Sequence, residues 1–102
     1  MKFFCEHEKL DVRGKWWITH ESGNYGLSII NTKGSYCDSK TYEIAIYIGI
    51  EPNRELFYVS NWGDSVKGFV TIDEVQDHLE KMCKLSFNDW IAYIEAFKYK
   101  NK

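Results

Sequence analysis

Six residues in this chain carry side chains that readily ligate a metal or attack an electrophile: Cys5, His7, His20, Cys37, His78 and Cys83. Structural zinc takes four ligands, usually presented by a C-x-x-C pair or by histidines one helical turn apart. Neither arrangement occurs, and Cys5-x-His7 would still need two partners. No metal and no cofactor is therefore expected. Nucleophilic catalysis needs a thiol or hydroxyl, a base within hydrogen-bond reach and a group that orients the base. His78 and Cys83 lie five residues apart in a stretch that reads as helix, which puts them on different faces. Cys83 flanks an apolar stripe and reads as a small core residue. His78, beside Asp77, reads as a surface residue, and Glu6, Glu8, Asp73 and Asp77 read as solvated charge. No G-x-S-x-G, phosphate loop or dinucleotide fingerprint is present. The expectation is a protein that is not an enzyme.

The elements that would position any site are β-rich at first. KWWITH and YGLSIIN flank the turn ESGN and predict a hairpin, with Gly23-Asn24 suited to the positive φ of a tight turn. TYEIAIYIGI alternates cleanly: Tyr42, Ile44, Ile46, Ile48 and Ile50 share one face, and Glu43, Ala45, Tyr47 and Gly49 the other. EPNR is a turn, and ELFYVSNW is expected to be the partner strand, making residues 42–62 a second hairpin. VKGFV then reads as a short strand, and KFF near the N-terminus as another.

Thr71-Ile72-Asp73-Glu74 fits a capping box that opens a helix, and Ile72, Val75, Leu79 and Met82 form its apolar stripe. Ser86-Phe87-Asn88-Asp89 starts a second helix, with Phe87, Trp90, Ile91, Ile94 and Phe97 on one face. Lys98, Lys100 and Lys102 suit a solvated tail. The expected fold is α+β: an antiparallel meander of four to five strands followed by a C-terminal αα-hairpin packed on one face. Without repeats or linkers, residues 1–102 are expected to form one domain.

Aromatic residues are the unusual component: four Trp, seven Tyr and six Phe. A buried aromatic removes 150–250 Å² from water, worth up to about 4–6 kcal/mol, against a net domain stability of only about 5–15 kcal/mol. Most of these rings must therefore be core. Two helices cover only one sheet face, however. Trp16 and Trp17 are adjacent and so point to opposite faces, as do Phe57 and Tyr58. An aromatic patch on the open face would mark a contact site. Net charge is −2 with both signs interspersed, unlike the basic stripe of a dedicated polyanion binder. Three unpaired-looking cysteines suggest a reducing, cytoplasmic setting. MKFFCEHEKL has no apolar leader core, and no segment approaches the roughly 20 apolar residues of a membrane span.

These features favour a small non-catalytic protein-binding module with Trp17, Tyr47, Tyr58 and Trp62 as contact residues. Small, mildly acidic domains without a catalytic set often serve as inhibitor- or immunity-type partners of a larger protein, and that role is the expectation here. An exposed edge strand would also allow a homodimer. The alternative is a base-stacking nucleic-acid binder, with Arg13 and Lys15 beside Trp16-Trp17 as its basic–aromatic cluster. Residues 42–100 are similar in order and spacing to the WGR domain of DNA-repair polymerases of ADP-ribose, through Tyr42-Glu43-Ile44, Phe57-Tyr58-Val59-Ser60-Asn61-Trp62-Gly63, Thr71, Glu74-Val75, Trp90 and Phe97. That resemblance implies DNA contact near a strand end. The family's Arg is Asp64 here, and the Gly expected shortly after it is missing. ITHESGNYGLSI likewise resembles the strand pair of an SH2 domain, with His20 where the phosphate-binding Arg would stand.

Overall fold

The computed structural model describes residues 14–35, 37–38, 40–49 and 52–100. The KFF segment, Cys5 and His7 lie outside them. The elements in chain order are β1 (Gly14–Thr19), β2 (Tyr25–Asn31), β3 (Thr41–Ile48), β4 (Glu55–Phe57), β5 (Val66–Thr71), α1 (Ile72–Lys84) and α2 (Phe87–Glu95). The sheet is antiparallel, and the two helices pack on one of its faces.

Strand β3 is the centre of this sheet because its alternation suits burial on both sides. Tyr42, Ile44 and Ile46 point into the helix-covered core, joined by Leu27 and Ile29 of β2 and by Val70 of β5. Helix α1 enters as expected. Glu74 N–H donates to Thr71 Oγ1 (3.2 Å), and Thr71 N–H donates back to Glu74 Oε1 (2.9 Å), completing the capping box. Its buried face is Val75, Leu79 and Met82, with Glu74 and His78 alongside. Ser86 caps α2, which buries Trp90 and Ile94 completely. The Trp90 indole donates to the His78 carbonyl at 3.0 Å, tying the two helices together.

The second hairpin differs from expectation. The strand opposite β3 ends at Phe57, and residues 58–65 leave the sheet before the chain returns as β5. Both β4 and β5 pair with β3, β4 with Ile46–Ile48 and β5 with Thr41–Ala45, so they form one interrupted edge. The excursion persists because its backbone finds partners elsewhere. The amides of Ser60 and Asn61 donate to the Glu95 carboxylate (2.9 and 2.6 Å), and the Asn61 side chain donates to the carbonyls of Ile94 and Phe97, both at 3.0 Å. Gly63, with φ +68°, closes the turn beneath a bridge between Val59 and Asp64.

On the face away from the helices, Tyr47 lies across β2 toward β1. This requires Gly26 beneath it: a Cβ there would sit 2.6 Å from Tyr47 Cζ and would also collide with its hydroxyl and the Ile18 carbonyl. The Tyr47 hydroxyl reaches Thr19 Oγ1 at 2.5 Å, locking the ring down. Gly26→Ala is therefore expected to lower stability by about 1–3 kcal/mol in urea titration, as overpacking does. An unchanged unfolding midpoint would contradict this packing.

Candidate functional site

The register places the side chains of the face away from α1 and α2 in rows. Trp17, Ser28, Ala45 and Val66 stand opposite one another across β1, β2, β3 and β5. The neighbouring row is Thr19, Gly26, Tyr47 and Leu56. Two small residues in the middle of the first row leave a trough between larger neighbours. The result is a concavity of about 360 Å³ floored by Ser28 and Ala45, with Trp17, Tyr47, Leu56 and Val66 among its walls.

Arg54, on the approach to β4, completes the wall. Its guanidinium lies 4.6 Å from the Tyr47 ring centroid and 5.3 Å from that of Trp17, while the two rings are 5.1 Å apart. Cation–π contact holds this trio together. Glu43 and Glu55 bring negative charge to the same concavity. Trp17 is 50% and Leu56 51% exposed, whereas Tyr47 is 1% exposed beneath its neighbours. The apolar floor and walls, with one cation and two carboxylates, suit capture of an apolar group in a defined orientation.

Of the four contact residues expected from sequence, the structure brings Trp17 and Tyr47 together in this concavity. Tyr58 and Trp62 belong to the 58–65 excursion instead. Tyr58 is 59% exposed, and Trp62 is partly buried against the core. Trp62 also borders a second, shallower hollow of about 300 Å³ with Asp64, Lys67 and Phe69. The adjacent aromatics divide between the faces as the pleat requires: Trp16 packs on Tyr42 (6.2 Å) and Phe57 on Phe87 (5.6 Å). Sequence reasoning missed Arg54, Ser28, Ala45, Leu56 and Val66. The small residues at alternating positions of two central strands were the available signal.

His78 is the clearest correction. It is expected at the surface but is fully buried. The C-terminal segment folds back over α1, so Phe97 and Tyr99 pack on the imidazole at 4.6 and 5.5 Å. The Trp62 indole donates to the Tyr99 hydroxyl (3.0 Å), leaving the hydroxyl proton for His78 Nε2 (2.8 Å). The imidazole proton is thereby assigned to Nδ1, facing Asp77 Oδ2 at 3.3 Å. Tyr93 and Lys81 also donate to Asp77, at 2.8 and 3.1 Å. Asp77 is thus no solvated charge: the His78 hydrogen bond, then those of Tyr93 and Lys81, hold its carboxyl well below the usual carboxylate range. Burial chiefly pushes the Tyr99 phenol well up, which keeps it a donor. This chain of bonds pins the Trp62 excursion and the C-terminal segment to α1.

Burial likewise raises the Cys83 thiol, disfavouring the reactive thiolate. Among the described residues, no three His, Cys, Asp or Glu side chains are grouped to hold a metal ion, and no helix is long and apolar enough to cross a membrane. No protein-family model, curated protein or solved structure matches the chain.

Because the folded Asp77 carboxyl titrates below its ordinary value of 3.8, its stabilisation is present above that pH and is lost as pH falls below it. Asp77→Asn is expected to cost about 1–3 kcal/mol near neutrality and to flatten the loss of stability between about pH 5 and about pH 2. Urea titrations of both proteins across that range measure the effect. Parallel pH profiles would refute it.

Proposed function

We propose that this chain is a small non-catalytic protein-binding module and that the helix-free sheet face is its contact surface. The observation that carries this reading is the pair of half-exposed residues Trp17 and Leu56 flanking a built concavity. Exposed apolar residues grouped around a trough are a contact signature, and Trp and Arg are residues that protein interfaces use as anchors. Arg54 and Trp17 already pack against Tyr47, so less side-chain freedom remains to be lost on binding. Glu43 and Glu55 beside the trough favour a partner with basic residues around its inserted group. A mildly acidic module that occludes a basic surface fits the inhibitor or immunity type of partner.

Affinity capture from the native host's lysate, with and without nuclease, compares the wild-type chain with Leu56→Glu and with the helix-side control Glu80→Gln. Leu56 and Glu80 are both exposed, so neither change threatens the core. The expected result is one stoichiometric protein that survives nuclease and is retained by Glu80→Gln. Leu56→Glu should reduce its capture about tenfold, equivalent to about 1.4 kcal/mol. Capture unaffected by Leu56→Glu would remove the sheet face as the site. Capture lost on nuclease treatment would replace protein binding with nucleic-acid binding.

A further inference from the structure

The floor of the trough holds a polar group. Ser28 is only 4% exposed and lines the concavity, on the same face as Trp17 and Ala45, its neighbours in register. Its hydroxyl makes no hydrogen bond with the protein among the described residues. The hydroxyl borders the trough, where water can satisfy it, and a group that displaces that water without offering a hydrogen bond leaves it unpaired. At this position an alanine would serve packing as well. A hydroxyl here makes sense as a contact for something that enters.

The dimensions limit what can enter. The row from Trp17 to Val66 crosses four strands, about 14 Å at the usual strand spacing of about 4.8 Å. The enclosed volume of about 360 Å³ is near the lower end of ligand pockets. An α-helix, about 10 Å across with its side chains, is too broad to sink into it, but one large side chain fits. The walls present the Trp17 ring and the Arg54 guanidinium, both able to stack on an aromatic face, opposite the aliphatic groups of Leu56 and Val66.

We propose that the trough receives one aromatic side chain with a hydrogen-bonding tip, a tyrosine or tryptophan projecting from the partner protein, whose polar tip pairs with the Ser28 hydroxyl. This rests on the protein-binding reading above and adds the identity of the inserted group. A phenylalanine or leucine would fill the same space but would seal the hydroxyl away unpaired, so the trough discriminates against it.

The test uses side-chain analogues on the full chain: p-cresol for tyrosine, 3-methylindole for tryptophan and toluene for phenylalanine, followed in amide NMR spectra. Saturable shifts are expected at Trp17, Ser28, Ala45, Tyr47 and Val66. The wild-type protein should bind p-cresol and 3-methylindole about fivefold or more tightly than toluene. In Ser28→Ala, which leaves the packing intact, that preference should fall to about onefold, largely because toluene binds better. Toluene binding as tightly as p-cresol in the wild-type protein, a preference unchanged in Ser28→Ala, or no shifts at these amides would each overturn the proposal. The two readings fail separately. If Leu56→Glu abolishes partner capture but the analogues show no preference, the face binds protein through other contacts and only this inference falls. If the analogues behave as expected while Leu56→Glu leaves capture intact, the trough takes a polar-tipped aromatic group and the reading of this face as the protein-contact surface falls.

Discussion

Strand β3 is paired along both edges, and the remaining elements take their positions from it. One face of the strand carries Tyr42, Ile44 and Ile46, which must be covered; the other carries Glu43, Ala45 and Tyr47. A pleated strand alternates its side chains strictly, so a slip of one residue would exchange the two sets. The helices follow the apolar set. Trp90, Leu79, Met82 and Ile94 are all fully buried there, which commits both helices to that face.

Among the described residues no helix packs on the opposite face, and side chains shape it. Tyr47 lies flat over Gly26, Thr19 holds its hydroxyl, and Trp17 and Arg54 roof it. Ring packing on Tyr47 in one row and small residues in the next leave relief in the surface. The trough is thus a by-product of how the sheet covers Tyr47, and its walls are held by the same contacts that stabilise the fold. Such a site is preorganised by construction. Away from it, the 58–65 excursion spends its polar groups on Glu95, Ile94, Phe97 and Tyr99, which explains why Trp62 serves the C-terminal segment as well as the edge.

Much of this was legible in the sequence because its causes are local. The capping box at Thr71 and Glu74, the alternation of β3, the turn at Gly23 and the division of Trp16 from Trp17 follow from spacing alone. What was not legible depends on contacts between distant residues. The burial of His78 requires residues 97–99 to return over α1, about twenty positions later in the chain. The break after Phe57 requires a carboxylate at Glu95 to receive two loop amides. Arg54 reads as a turn residue until Trp17 is brought beside it from another strand. Local pattern fixed the elements and their faces, whereas the relief of the open face arises from non-local packing.

The central claim is that the sheet face bearing Trp17 and Leu56 stands open to solvent while the other is sealed by helices. Hydroxyl-radical footprinting of the free protein, read by mass spectrometry, tests it residue by residue. Rapid oxidation of Trp17 and Leu56, with Trp90 and Leu79 protected, is the predicted pattern. Protection of Trp17 and Leu56 equal to that of Trp90 would show the face to be covered and would contradict the account.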